Sequence, residues 1–279
     1  MPEVRVEEAE RFLVDSLVAG GAPLSEAKAH ADLLLHADIV GHFSHGMNRL
    51  ELYINDMKSG ICNPNAEPVI LKETIATAWV DGCDALGATV GCNHYGMAGY
   101  WALKAEKEGL VGMSFTNSAP IMVPTRSKNV EVQIRKGEPI PEGWALGPDG
   151  KTTTDPQVAF DTARLLPLGG FEKTSGYKGY ALSAMVEVFC SGLSGQCFVA
   201  VDPGCFAPGF QDRIAECLSH WRNLEPVDPS LPVLAPGDKE RNNEKNTKNR
   251  GTIIYPESQV ESYRKMAAKI GVKPLEVVQ

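Results

Sequence analysis

Leu168-Gly169-Gly170-Phe171-Glu172-Lys173-Thr174-Ser175-Gly176-Tyr177-Lys178-Gly179-Tyr180 is a glycine-rich turn that runs straight into an apolar stretch. The spacing predicts a helix over 177–193, carrying the apolar run Met185 to Phe189, and then a strand over Cys197 to Val201. Backbone N–H groups at a helix start, with Lys178 beside them, suit an anion such as a dinucleotide phosphate or a ribose. The pattern is not a Walker loop, and no G-x-G-x-x-G follows a strand, so the ordinary Rossmann fingerprint is absent. A linker with a capping turn would also read this way, and the turn alone does not choose.

Upstream, Leu110 to Thr116 reads as a buried strand. A helix over 99–108 precedes it, and Ala76 to Val80 reads as another strand. Strands alternating with helices predict an α/β domain. Downstream come a helix over 213–222, a very polar stretch 237–251 that reads as a solvated loop, and a closing helix over 257–270. The N-terminal part differs. Apolar positions Val6, Ala9, Phe12, Leu13 and Leu17 predict a helix over 4–19 that stops at Gly20-Gly21. A second helix starts with Ser25 as candidate N-cap and stops at Gly41. A third runs over 45–58 and stops at Gly60.

The 279 residues leave room for one large or two modest domains of roughly 100–200 residues each. A net charge of −8 repels phosphate backbones and argues against nucleic acid as a partner. The seven cysteines form no C-x-x-C pair, so reduced structural thiols are expected and no metal site is. No stretch approaches the roughly 20 apolar residues that span a bilayer, so no membrane partner is expected. Met1 to Arg5 lacks a signal-peptide core, which makes the cytoplasm the expected location.

Three further segments bear chemistry. In Ser44-His45-Gly46-Met47-Asn48-Arg49 with Tyr53, the helix predicted over 45–58 puts His45, Arg49 and Tyr53 at i, i+4 and i+8. These three would line one face, apart from the apolar Leu50, Ile54 and Met57. Arg49 can hold a carboxylate with two parallel hydrogen bonds, and Ser44 can support His45. A solvated polar stripe with a capping serine reads the same. In Asn93-His94-Tyr95-Gly96, a histidine between glycines before a helix is placed to exchange a proton with a substrate hydroxyl near neutral pH. A structural histidine in a turn is the alternative. Asn117-Ser118-Ala119-Pro120 lies just past a strand, where open α/β sheets bind ligands.

Taken in order, these segments resemble the malate/L-lactate dehydrogenase family, which includes sulfolactate, ureidoglycolate and piperideine-carboxylate enzymes. The segments are Ser44-His45-Gly46 with Arg49 and Tyr53, Asn93-His94-Tyr95-Gly96, Asn117-Ser118-Ala119-Pro120, Leu165 to Gly170, and Gly176 to Tyr180, with Asp202-Pro203 and Pro236-Gly237-Asp238 beyond. The resemblance implies a non-Rossmann, sulfolactate dehydrogenase-like α/β fold, a homodimer, and hydride transfer between NAD or NADP and C2 of a small 2-hydroxy or 2-oxo acid of malate or lactate type. It assigns His94 as the acid/base group, with Ser44 and His45 a polar pair beside the substrate. Arg49 becomes the carboxylate ligand with Tyr53 next to it, and Ser118, Pro120, Lys178 and Gly179 become cofactor contacts. It implies three parts: 1–68, an N-terminal helical substrate-side module; 69–235, an α/β cofactor-binding domain; and 236–279, a C-terminal loop and helix.

Against the family pattern, segments are missing after Thr89-Val90, after Ser127-Lys128-Asn129 and after Leu193-Ser194. The second gap removes an Asp-bearing segment that, by resemblance, would contact the cofactor and orient His94. The cofactor domain is therefore expected to be incomplete. Two readings follow: an active dehydrogenase, or a catalytically inactive shortened isoform that at most pairs with a full-length subunit.

Overall fold

In the computed structural model, the described residues are 1–87, 94–116, 139–162 and 164–278. They form two compact units, Met1–Ser114 with Phe198–Gln279 and Phe115–Cys197.

The larger unit is built on helices. In α1 (Val6–Gly20) the buried positions Ala9, Phe12, Leu13, Ser16 and Leu17 recur at helical spacing and form one apolar stripe. α2 (Leu24–Ile39) buries Ala27, His30, Ala31, Leu33, Leu34, Leu35, Ala37 and Asp38, so it is covered on several sides. α3 (Leu50–Ser59) adds Leu50, Tyr53, Ile54 and Met57. Of these, Ala9, Phe12, Leu13, Leu17, Ala27, Ala31, Leu34, Leu35 and the four from α3 join Val260, Tyr263, Met266 and Ala267 of a C-terminal helix, Glu257–Ile270, in a single core cluster. A short strand β1 (Glu3–Arg5) pairs antiparallel with Thr252–Ile254, Val4 opposite Ile253, and ties the chain's beginning to its C-terminal segment. Residues 4 and 5, expected in the first helix, belong to this strand. Val4 is fully buried there, a gain the helix could not offer.

The remaining described elements, in chain order, are as follows. β2 (Val69–Glu73) and β3 (Ala78–Asp81) form an exposed hairpin. α4 (Ala98–Lys107) leads to β4 (Val111–Thr116). In the smaller unit, β5 (Ala145–Leu146) pairs with β6 (Thr152–Thr153), α5 (Pro156–Thr162) follows, and α6 (Gly176–Phe189) continues into a π-turn at Cys190–Ser194. Then come β7 (Gln196–Val201), which pairs with β4, α7 (Phe210–Arg222), α8 (Asp238–Arg250), β8 (Thr252–Ile254) and α9 (Glu257–Ile270). The mixed helix–strand class matches the expected α/β character, but the chain is strand-poor. Its strands make only two-stranded sheets among the described residues. Val111 and Met113 of β4 are exposed, where the sequence suggested a buried strand.

The polar stretch 237–251 is a helix, not a loop. Asn243 Nδ2 donates to the Val40 carbonyl and Thr247 Oγ1 to that of Ile39, so α8 caps the end of α2. A Lys248–Glu244 pair at i,i+4 supports it. No helix among the described residues is long and apolar enough to cross a membrane.

Candidate active site

After α2 the chain does not enter a third helix at once. It makes two 3-10 turns, Phe43–His45 and Met47–Arg49, before α3 begins at Leu50. His45 and Arg49 therefore do not share a helix face with Tyr53, as the spacing suggested. Gly46, with ψ near −143°, breaks the helical run between them. The turns bring the same side chains together by another route. Arg49 Nε donates to the Ser44 carbonyl at 2.7 Å, and Ser44 Oγ meets His45 Nδ1 at 2.9 Å. The His45 ring stacks on that of His94 with centroids 5.4 Å apart.

Tyr53, in the first turn of α3, is nearly fully buried. Its hydroxyl bonds His94 Nδ1 and lies 3.3 Å from the His94 carbonyl. The backbone N–H of Gly96 also donates to His94 Nδ1, at 3.3 Å. A backbone N–H can only donate, so Nδ1 is an acceptor. The proton of the neutral ring then sits on Nε2. Around it, Trp101 Nε1 donates to the Tyr95 carbonyl, and the Tyr95 hydroxyl meets Ser114 Oγ. These bonds fix the segment that carries His94.

Burial drives the His94 pKa down to about 4, and the neighbouring His45 and Arg49 push the same way. The His45 pKa is also lowered, by burial first and then by Arg49 and His42. Both rings are thus neutral near pH 7. Among the described residues, the groups that act on His94 besides burial are His45 and Arg49. Tyr53 occupies Nδ1.

Two residues beside this cluster were not singled out from the sequence. His30 is fully buried, with neither ring nitrogen hydrogen-bonded, and packs edge-on against Tyr53 at 4.1 Å between centroids. Asp38 is buried under the turn between His45 and Met47. For His30 a signal existed: it stands four residues before Leu34, on the core stripe of α2.

Lys178 and Gly179 lie in the first turn of α6, in the smaller unit. Lys178 is exposed. A Cβ on Gly179 would overlap the Leu168 carbonyl oxygen, so the glycine-rich turn folds back tightly on the helix start. The Gly176 and Lys178 N–H groups are taken by the Phe171 and Ser175 carbonyls. The cation of Lys178, more than the backbone amides, is what this turn offers an anion. Ser118 and Pro120 lie outside the described residues, as does Asn93. Among the described residues no group of three or more His, Cys, Asp or Glu side chains is placed to hold a metal.

A family model for malate/L-lactate dehydrogenase matches residues 4–92 and 125–263. The malate dehydrogenase of Pyrococcus abyssi is 30% identical over 342 aligned residues, covering 95% of this chain and 94% of that protein. That alignment is longer than the chain itself, so it holds internal gaps on this side. Among solved structures, the malate dehydrogenase from Pyrococcus horikoshii superposes with a TM-score of 0.87 at 28% identity, over 99% of this chain and 97% of that one. The sulfolactate dehydrogenase from Methanocaldococcus jannaschii does so with a TM-score of 0.83 at 25% identity, over 99% and 100%.

Proposed function

Because the chain belongs to the malate/L-lactate dehydrogenase family, we propose that it transfers a hydride between NAD or NADP and C2 of a small 2-hydroxy or 2-oxo acid of malate or lactate type. The observation that carries the reading is the gathering of Ser44, His45, Arg49 and Tyr53 around His94, Tyr53 at its Nδ1 edge and His45, linked to Ser44 and Arg49, on its ring face.

Arg49 holds the substrate carboxylate, with Ser44 and His45 beside it. Its fork fixes the acid in one orientation, which removes much of the entropy cost of the reaction. His94 faces the oxygen on C2 through Nε2. In reduction, Nε2–H is given to the forming alkoxide while the Tyr53 hydroxyl proton passes to Nδ1, and the Tyr53 phenolate left behind takes up a proton from solvent. In oxidation both protons return. The ring stays neutral throughout, which fits a group whose imidazolium is scarce at neutral pH. A bound nicotinamide supplies or accepts the hydride. The exposed Lys178 is a suitable cation for a phosphate or ribose of such a cofactor, and Gly179, Ser118 and Pro120 complete the proposed contacts. A homodimer is part of the same proposal, as is the division into 1–68, 69–235 and 236–279.

A second reading, an inactive short form that pairs with a full-length subunit, is favoured by the gapped alignment and by exposed Ile70, Trp79, Tyr177 and Val188.

The test is consumption of NADH and NADPH with oxaloacetate and pyruvate. Turnover is expected, with Arg49→Lys weakening the 2-oxo acid far more than the cofactor, because lysine keeps the charge and loses the fork. Equal loss of both affinities would indicate a folding defect instead. Absence of turnover with every 2-oxo acid would leave the second reading.

A further inference from the structure

The loop that carries Ser44, His45 and Arg49 hangs on one buried carboxyl. Asp38, in the last turn of α2, is 2% exposed. Its Oδ2 accepts the Met47 backbone N–H at 3.0 Å and the Tyr255 hydroxyl at 2.8 Å. Its Oδ1 has no hydrogen-bond partner. Directly above lies Gly46, where a Cβ would overlap Oδ1. The closeness explains why the residue between His45 and Met47 is a glycine: only a backbone without a side chain can sit this near the carboxyl.

We propose that Asp38 is the positioning residue of the substrate loop, holding the His45–Met47 backbone through Met47 N–H and anchoring it to Tyr255 at the end of β8. The role rests on the dehydrogenase reading above for its purpose, although not for its geometry. Asp38 touches no substrate in this account. It acts by fixing the short turn from which Ser44 and His45 on one side, and Arg49 on the other, reach toward His94. A buried carboxyl is costly to keep. In α2 an apolar residue would fill the same space, yet it would orphan the Met47 N–H and the Tyr255 hydroxyl. Burial pushes the Asp38 carboxyl up to about 7, against the pull of those two donors. Ionised or protonated, the carboxyl offers Oδ2 as the acceptor for the same two hydrogen bonds.

This chemistry sets the test. Asparagine keeps an acceptor oxygen for both donors and carries no charge, whereas alanine has none. The readouts are the imidazole NMR signals of His45 and His94 in the ligand-free protein and the KM for a 2-oxo acid. Asp38→Ala is expected to shift the His45 signal and to raise the KM about tenfold, with kcat and cofactor affinity little changed. Asp38→Asn is expected to leave the His45 signal in place and the KM within about twofold. Gly46→Ala is expected to be more impaired than Asp38→Ala, and the double variant Gly46→Ala/Asp38→Ala to fall back to the level of Asp38→Ala, because the overlap is gone. If Asp38→Ala fails to fold, Gly46→Ala and Asp38→Asn still decide: a His45 signal shifted in the first and unshifted in the second supports the proposal, and an unshifted signal in the first overturns it. An unshifted His45 in Asp38→Ala, or a loss in Asp38→Asn equal to that in Asp38→Ala, would overturn the proposal. A wild-type chain that turns over no 2-oxo acid would defeat the dehydrogenase reading alone, since the imidazole spectra report the loop without catalysis.

Discussion

Phe12, Leu13, Leu17, Leu34, Leu50 and Ile54 are buried together in one cluster of the larger unit. Among the described residues of the smaller unit, 115–197, Ile140, Ala145 and Ala159 are buried together with Leu165 against them, while α6 leaves Tyr177, Leu182, Met185 and Val188 exposed. The difference is one of apolar burial, at about 25 cal/mol per Å² removed from water. The residues proposed to bind and protonate the substrate stand on the well-packed unit. Lys178 and Gly179 stand on the poorly packed one. Of the three gaps expected against the family pattern, those after Asn129 and Ser194 fall in the smaller unit and the one after Val90 in the larger, where Ser44, His45, Arg49, Tyr53 and His94 are nevertheless brought together.

The comparison can be broken most directly by cavities. Phe12→Ala is expected to cost about 3–5 kcal/mol in urea unfolding, the usual range for a fully buried phenylalanine. Val188→Ala, at 64% exposure, should stay within about 0.5 kcal/mol. Comparable losses at the two sites would mean that α6 is packed as firmly as α1.

Restoring the segments missing after Val90, Asn129 and Ser194 sharpens the same contrast. A cleft with one wall cannot bury most of a dinucleotide. The restored chain should bind NADH or NADPH at least about tenfold more tightly, roughly 1.4 kcal/mol. The two chains should differ little in affinity for a substrate-like dicarboxylate. Equal cofactor affinities would make the gaps tolerated trims.

A smaller effect concerns pH. All six histidines lie in the larger unit. Burial holds His30 near 3 and His94 near 4, below the ordinary 6.5. Between those values and 6.5 the unfolded chain binds more protons. Their contribution to stability is therefore complete above 6.5 and is lost as the pH falls toward 4 and then 3. Asp38 has the opposite sign: raised from 3.8 to about 7, its contribution is complete below 3.8 and is lost as the pH rises through 7. His30→Leu should flatten the acid limb of a stability-versus-pH curve, and Asp38→Asn the limb approaching 7. Unchanged limbs in both variants would contradict the burial of these groups.

Long periodic segments were legible in the sequence. The closing helix, Glu257–Ile270, has the limits its pattern suggested, and the helix before β4 and the strand 196–201 shift by only a residue or two. Tertiary contacts explain the rest. Residues 238–250 have no apolar stripe, and they are helical because Asn243 and Thr247 grip the end of α2. Val4 left its helix for a strand partner 249 residues away, Ile253. The i, i+4, i+8 pattern of His45, Arg49 and Tyr53 named side chains that do come together, but not on one helix face, since Gly46 interrupts the helix. Asp38 and His30 were hidden because a polar residue in an apolar helix shows its purpose only once its neighbours are placed.

The most direct test of the central claim is hydride transfer at high enzyme concentration, using cofactor deuterated at the transferable position and oxaloacetate, with deuterium at C2 of the product followed over time. High concentration compensates for weak cofactor binding, so the readout is the chemistry of the His94 cluster. The account predicts deuterium at C2 with the wild-type chain, and transfer slower by about 100-fold or more in His94→Ala. No transfer from the wild type, or an equal rate in the variant, would contradict it.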